Sequence, residues 1–306
     1  MQKRMNTNTL KYLVAALSVF SNATLLLLKL IVGFSMGSIA VISEAAHSAI
    51  DVFAALVAVV GVQQAGVPAD RDHPFGHGKF ENLSALIQAL LIFIAAAWIV
   101  YQSVEKLLHP HALQRLGPGV IVMFVSAVVN LAVGLVLLRV GRKSESVALR
   151  ADAWHCLTDV YTSAGVMAAL CVLWLVRRWL PFADASWVDP LAALAVAFLI
   201  VKAAWDLTLE SLRDLLDVSL PKKEEEAIVA ILHTQFPQIL SFHNLRTRRS
   251  GAVRFFEFHI FVDPAMTVAA SHELHHAIAE EVKTRFPGAQ VMVHIEPSNS
   301  GLRAMP

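Results

Sequence analysis

The chain of 306 residues is 56% hydrophobic and only 16% charged, a composition that excludes an ordinary soluble globular protein. Its net charge of +1, without any run of lysine and arginine, argues against a nucleic-acid partner. Because the apolar residues concentrate before about residue 212, the composition predicts a membrane protein with one small soluble portion.

Six apolar stretches follow one another in the first two thirds of the chain. A helix needs about 20 mostly apolar residues to cross roughly 30 Å of hydrocarbon, and each stretch is long enough. The predicted spans lie near 12–33, 38–63, 82–105, 118–139, 152–176 and 187–208. Lysine and arginine are more frequent in the loops on the side that also receives both termini. This bias predicts cytoplasmic N- and C-termini in a lipid bilayer.

From Pro221 onward the hydrophobic periodicity is that of a soluble α+β unit. The predicted elements are a helix over 222–236, strands near 240–248 and 253–262, a helix near 268–286 and a strand near 290–296. Two helices on one face of a three-stranded sheet would bury these patterns. The fold class is therefore a membrane bundle of six helices over 1–211, followed by a small ferredoxin-like α+β domain over 212–306.

The second and fifth predicted spans each contain the pattern His-x-x-x-Asp, as His47 with Asp51 and His155 with Asp159. Residues four apart share one helix face, so each pair can point both groups at one spot. Two imidazoles and two carboxylates form a ligand set suited to tetrahedral Zn²⁺. The pairs could instead hydrogen-bond internally and merely join helices, but the duplicated spacing of costly intramembrane groups favours a functional site.

The imidazoles also suggest a driving force for transport. A histidine binds metal only when neutral, and an ordinary imidazole pKa near 6.5 lies close to cytoplasmic pH, so metal binding displaces protons. A site that exchanges metal for protons while facing each side of the membrane in turn is a metal/proton antiporter. Asn22 and Asn130, in the first and fourth spans, are interpreted as packing groups and not as ligands.

Two further histidine patterns lie outside the spans. Asp70, His73 and His77 fall within eight residues of a Gly/Pro-rich loop and can converge on one ion, although they could be ordinary solvated residues. In the soluble part, His272 to His276 matches the zinc-protease pattern H-E-x-x-H. Hydrolysis would need a third ligand and a substrate cleft, so a regulatory metal site or a solvated histidine face is the alternative for this helix.

Over nearly its whole length the chain resembles the cation diffusion facilitator family, with the bacterial zinc and iron efflux transporters as the nearest members. The resemblance implies that His47, Asp51, His155 and Asp159 form the transport site, and that the loop residues Asp70, His73 and His77 form a second metal site. Some close relatives have Asp where this chain has His47. The His form resembles that of zinc-selective members, which makes cadmium and iron less expected as substrates.

The resemblance also extends to the soluble domain, where it implies regulatory zinc binding and homodimerisation. The matching metal positions are His243, His259, His272, His294 and Glu296. Lys79 and Asp217 match a pair that locks the dimer in relatives. Two departures from close relatives affect the geometry of this metal site, since Ile295 occupies a polar position and Glu296 replaces Asp.

The combined prediction is a secondary active transporter, not an enzyme. It is expected to move a divalent cation, most concretely Zn²⁺, out across the cell inner membrane by proton antiport. The zinc ion would serve both as substrate and as regulator, and a homodimer would be the functional form. A membrane-anchored metalloenzyme and a metal sensor that binds without transport are the alternatives. Direct measurement of flux distinguishes transport from both.

Overall fold

A computed structural model describes residues 2–36, 39–109, 119–179 and 187–298. Within these ranges the side chains at 2–6, 36, 39–44, 46, 106, 119–123, 166–179 and 188–189 are not described. The chain separates into two compact units, Met1–Leu212 and Arg213–Pro306. Buried apolar clusters lie within each unit, and each unit is considered by itself below.

Six long helices make up the first part of the chain. They are α1 Gln2–Met36, α2 Ile39–Ala65, α3 Lys79–Leu108, α4 Gly119–Lys143, α5 Val147–Trp179 and α6 Val188–Leu215. Among the described residues, five of these helices are long and apolar enough to cross a membrane. The five candidate spans are Thr7–Ser35, His47–Ala65, Lys79–Glu105, Phe124–Lys143 and Pro190–Leu215.

The described side chains of α5 end at residue 165, so the predicted span at 152–176 lies partly outside the described residues and is not confirmed. Its first half carries Arg150, Asp152, His155 and Asp159, and these charged and polar groups lower its hydropathy. Two of them belong to the His-x-x-x-Asp pattern. The described part of α5 therefore holds both residues of the pattern.

Small residues bring α4 and α5 close together. Gly134 on α4 faces α5 so closely that a Cβ atom there would lie 3.3 Å from the Cβ of Cys156 and 3.4 Å from the Cγ of Leu157. Membrane helices associate through small residues of this kind, because lipid tails are as apolar as the side chains they would replace. The close approach matters for the site, since His155 precedes Cys156 directly.

The second unit has the predicted α+β architecture. Its elements are α7 Lys222–Gln235, β1 Ser241–Ser250, β2 Val253–Val262, α8 Val268–Arg285 and β3 Gln290–Pro297. The sheet order is β1-β2-β3, with β1 antiparallel and β3 parallel to β2. The parallel pair requires a crossover connection, and α8 supplies it. The predicted fold class of this unit is confirmed.

Both helices of the second unit pack on the same face of the sheet. Phe256, Phe258 and Ile260 alternate along β2 and join the core, where Ile228 of α7 and Ile278 of α8 are fully buried. Alternation means that the residues between them, including His259, point to the opposite face. The register places His259 opposite His243 on β1 and His294 on β3, so three histidines form a row across the sheet.

Candidate metal-binding sites

Helices α2 and α5 bring together all four residues of the duplicated pattern. Each histidine lies against the aspartate of the other helix: His155 Nε2 is 3.1 Å from Asp51 Oδ1, and His47 Nε2 is 3.8 Å from Asp159 Oδ1. Ligand atoms of His47, Asp51 and Asp159 all lie within 4.8 Å of one another. The i, i+4 spacing aligns each pair on its helix, and packing of the two helices then crosses the partners.

The four side chains differ in their accessibility. Asp51 and His155 are buried, with 4% and 5% of their surface exposed, whereas the His47 side chain is 46% exposed within this unit. The cluster is therefore closed on one side and open beside His47. Two carboxylates and two imidazoles are also the donor types that divalent transition metals of the zinc class prefer. The arrangement can hold one such cation and admit it from one side.

Two polar residues from other helices accompany this cluster. Asn130 of α4 donates from Nδ2 to Asp159 Oδ2 over 2.9 Å, and Lys29 of α1 donates from Nζ to Ser48 Oγ over 2.7 Å. Both are buried, and Ser48 follows His47 directly. Sequence reasoning had interpreted Asn130 as a packing group and had not identified Lys29. The sequence feature that could have identified both residues is a strongly polar side chain in an otherwise apolar span. Burying such a side chain is unfavourable unless it has a hydrogen-bond partner.

The loop between α2 and α3 brings its three predicted ligands together. Asp70 Oδ1 lies 3.6 Å from His73 Nδ1, Asp70 Oδ2 lies 3.5 Å from His77 Nε2, and all three residues can offer an atom to one ion. The backbone N–H of His73 and that of Asp72 both donate to Asp70 Oδ1, over 2.7 and 3.0 Å. The loop is thus shaped around the Asp70 carboxylate.

The same contacts influence the charge of Asp70. The hydrogen bond from the His73 backbone N–H stabilises the ionised carboxylate and lowers the pKa of Asp70, and the nearby imidazoles of His77 and His73 act in the same direction. A cation ligand must be deprotonated. Asp70 is therefore available as an anionic ligand throughout the physiological range of pH.

The row of histidines across the sheet meets a carboxylate in the second unit. Glu296 Oε1 lies 2.8 Å from His259 Nδ1, 3.5 Å from His294 Nε2 and 3.8 Å from His243 Nε2. The ligand atoms of His243, His259 and Glu296 fall within 4.8 Å of one another. Strand register explains the cluster, because Glu296 follows His294 by two residues and so shares its face of β3.

His272 lies elsewhere. In the described part of the second unit its ring contact is with His276, one helical turn later on α8, and the two Nε2 atoms are 3.1 Å apart. Helix α8 covers the face of the sheet opposite His259. Within one chain the structure therefore groups His272 with His276 and not with the sheet histidines. The predicted role of His272 beside His243 and His294 stays a prediction.

The remaining predicted pair, Lys79 and Asp217, is divided between the two units, so it also stays a prediction. Lys79 is the first residue of α3. Asp217 follows α6 in a left-handed backbone conformation, with φ of 55°, and its Oδ1 lies 3.5 Å from Arg248 Nη1. Asp217 therefore has a cationic neighbour within its own unit.

Comparisons with known proteins cover both units. The family model of the cation efflux transmembrane domain matches residues 15–216, and that of the cation efflux protein cytoplasmic domain matches residues 220–298. An uncharacterized transporter of Synechocystis is 36% identical over 261 residues, which are 85% of this chain and 82% of the relative. The cation-efflux pump FieF of Klebsiella pneumoniae is 32% identical, over 90% of this chain and 89% of the pump. FieF of Serratia proteamaculans is 33% identical, over 92% of each chain.

Solved structures match about a quarter of the chain. The zinc form of CzrB is 35% identical, covers 28% of this chain and 99% of its own, and has a TM-score of 0.27. The metal-bound C-terminal domain of the CzcD transporter from Thermotoga maritima is 33% identical, covers 26% of this chain and 94% of its own, and has a TM-score of 0.25.

Proposed function

The chain belongs to the cation diffusion facilitator family of cation efflux transporters, and on that premise we propose that it exports Zn²⁺ from the cytoplasm in exchange for protons. Membership makes it a multi-pass membrane transporter of divalent metal ions and not an enzyme. The observation that supports the finer proposal is the crossed pairing of two histidines with two aspartates between α2 and α5.

The choice of Zn²⁺ follows from the donor set. Zn²⁺ favours four ligands in tetrahedral geometry and accepts imidazole nitrogen and carboxylate oxygen at about 2.0–2.2 Å. His47, Asp51, His155 and Asp159 would supply two donors of each kind from two helices. A site with fewer imidazoles and more oxygen donors would suit harder cations such as Mn²⁺ better. Hence His47 is the residue proposed to bias this transporter towards zinc.

Proton exchange follows from charge balance at the same cluster. Two ionised aspartates carry two negative charges, which one Zn²⁺ neutralises. When the metal leaves, protonation of the two histidines beside them restores the same balance, and a neutral imidazole is required again before metal returns. The site would thus alternate between a metal-bound and a protonated state. An acidic exterior would favour release there.

The other metal clusters are proposed to accompany transport. The loop site of Asp70, His73 and His77 would bind a second ion, and the sheet site of His243, His259, His294 and Glu296 would bind regulatory zinc. His272 lies across the sheet from that cluster, so it could join only from a second copy of the chain. We accordingly propose a homodimer with cytoplasmic termini in the inner membrane. Residues 1–211 would transport, and residues 212–306 would regulate and dimerise, with Lys79 and Asp217 locking the dimer.

Reconstitution in liposomes tests this proposal. Purified protein in vesicles that contain a zinc-sensitive dye should take up Zn²⁺ when an opposing pH gradient is imposed, and uptake should stop when the gradient is collapsed. Asp51→Ala and Asp159→Ala each remove one carboxylate and should abolish uptake. Asp206→Ala on α6, outside the cluster, is the matched control and should retain uptake.

Three results would contradict the proposal. Zinc uptake that does not depend on the pH gradient would contradict proton antiport. Normal uptake by both aspartate variants would show that Asp51 and Asp159 do not form the transport site. Tight zinc binding without any flux would make the chain a sensor.

A further inference from the structure

Asn130 lies outside the four candidate ligands and contacts one of them directly. Its Nδ2 donates to Asp159 Oδ2 over 2.9 Å from a separate helix, α4. The side chain is only 6% exposed, and its Oδ1 has no hydrogen-bond partner in the described part of the chain. Burying an amide in an apolar helix is unfavourable unless the amide forms a hydrogen bond. The position therefore calls for an explanation beyond packing.

The close contact of α4 with α5 holds this hydrogen bond in place. Asn130 and Gly134 lie one turn apart and so share a face of α4. A Cβ at Gly134 would be only 3.3 Å from the Cβ of Cys156, so the two backbones meet tightly just beyond the site. The Asn130 amide is thereby held by a closely packed helix pair within hydrogen-bond distance of Asp159. Packing of α4 against α5 thus fixes the Asn130 side chain in the way expected of a group that orients a metal ligand.

The two oxygens of Asp159 have different neighbours. Oδ2 is occupied by the Asn130 N–H, while Oδ1 faces His47 across 3.8 Å. Within the site, Asp51 Oδ1 likewise lies 3.1 Å from a partner, His155 Nε2. A carboxylate can bind a cation through one oxygen or through both, and binding through both raises the coordination number. Because the hydrogen bond occupies one side of Oδ2, Oδ1 is the oxygen that Asp159 offers most readily to an ion.

From this division we propose that Asn130 is a positioning residue that keeps Asp159 a one-oxygen ligand and thereby favours four-coordinate ions over ions that take more oxygen donors. The inference rests on the proposed function, because it concerns the same transport site. Zn²⁺ with four ligands satisfies the geometry, whereas Mn²⁺ adopts six-coordinate, oxygen-rich sites. Asn130 would thus act on selectivity through Asp159, without touching the metal.

A purely structural role is the competing explanation, since asparagine can join membrane helices by hydrogen bonds. Loss of a structural bond would lower the amount of folded protein and reduce transport of every ion alike. Loss of the positioning bond would instead free Asp159 Oδ2 and change which ion is preferred. The ratio of two ions carried by the same preparation separates these roles, because protein amount cancels in it.

The test compares Asn130→Leu and Asn130→Ser with Ser126→Ala in the full-length chain in liposomes. Leu matches the size of Asn, and Ser is small enough to fold if Leu is not tolerated. Ser126 lies one turn earlier on α4, is buried, and has no described hydrogen bond at its Oγ, so its loss is the matched control. Zn²⁺ and Mn²⁺ uptake give kcat/KM for each ion. The visible spectrum of bound Co²⁺ reports coordination number at the transport site when Asp70→Asn and Glu296→Gln disable the loop and sheet sites.

Both Asn130 variants should lower the apparent Zn²⁺ affinity by about tenfold or more, the usual cost of removing a group that orients a ligand. Mn²⁺ should be affected less, so the Zn²⁺/Mn²⁺ preference should fall, and the intense bands of tetrahedral Co²⁺ should weaken. Ser126→Ala should behave as wild type. An unchanged ion preference and Co²⁺ spectrum in either folded Asn130 variant would overturn the inference while leaving zinc transport intact. Absence of zinc flux in the wild type would instead overturn the proposed function.

Discussion

His47 Nε2 lies 3.8 Å from Asp159 Oδ1, across the interface of α2 and α5. A tetrahedral Zn²⁺ bound to both atoms would hold them roughly 3.4 Å apart, given metal–ligand distances near 2.1 Å. The observed gap is therefore slightly wider than the bound geometry and too long for a hydrogen bond. A small movement of one helix against the other would complete coordination, as expected if this cluster is the proposed transport site.

Replacing His47 by aspartate should broaden ion choice. His47→Asp removes one imidazole and adds an oxygen donor, so the site becomes less suited to Zn²⁺ and more accommodating to larger cations. We expect Cd²⁺ uptake in liposomes to increase relative to Zn²⁺. Competition between the two ions in one preparation measures the change, with wild type as reference. An unaltered Cd²⁺/Zn²⁺ ratio would show that His47 does not set selectivity.

The loop site provides a prediction about pH. The His73 backbone hydrogen bond lowers the pKa of Asp70, so Asp70 favours folding above its ordinary value of 3.8 and loses this contribution only as pH falls through the lowered pKa. Between pH 6 and 7.5 it stays ionised. Asp70→Asn should therefore weaken zinc binding by the loop at both pH values, because the wild-type carboxylate is charged at each.

Zinc titration of full-length protein measures that loop affinity once Asp51→Ala and Asp159→Ala disable the transport site and Glu296→Gln disables the sheet site. Asp72→Asn, which alters the neighbouring exposed carboxylate, is the matched control and should bind as the parent does. Unchanged zinc binding by Asp70→Asn at either pH would show that Asp70 is not an anionic ligand there, contrary to the expectation.

Glu296 should be central to metal binding in the second unit, because its Oε1 faces all three sheet histidines. Glu296→Gln keeps the size of the side chain but removes its charge. We expect the number of zinc ions bound per chain to fall by about one, since the site loses its anionic ligand. Equilibrium dialysis of the full-length protein measures the stoichiometry. Glu257→Gln, on β2 outside the cluster, should leave it unchanged, and equal stoichiometry in both variants would argue against the site.

The second unit should depend on Ile278 for stability. Ile278 of α8 is fully buried against the sheet, and its replacement by alanine should lower the free energy of unfolding by about 2–5 kcal/mol. Hydrogen exchange of the β2 amides in the full-length chain should accelerate accordingly. Val268→Ala at the start of the same helix, where the side chain is 86% exposed, should have little effect. Equal exchange rates in both variants would show that Ile278 is not part of the stabilising core.

Local sequence patterns were sufficient to predict most of the helices and strands of this protein. Long apolar stretches determined five of the membrane helices, and alternation determined the strands, because helix and strand periodicities are properties of neighbouring residues. The His-x-x-x-Asp spacing likewise placed His47 with Asp51 and His155 with Asp159 on their respective helix faces. The predicted span at 152–176 lies partly outside the described residues, so it stays a prediction.

Tertiary packing decided how these faces meet. It crossed the partners, so that His155 contacts Asp51 and not the aspartate of its own helix, and it brought Asn130 from α4 onto Asp159. Strand register aligned histidines that are up to 51 positions apart along the chain, from His243 to His294, while the sheet separated His272 from them. These relationships depend on contacts between distant segments. No spacing along the chain encodes them, so a sequence can nominate the ligands without showing what holds each one in place.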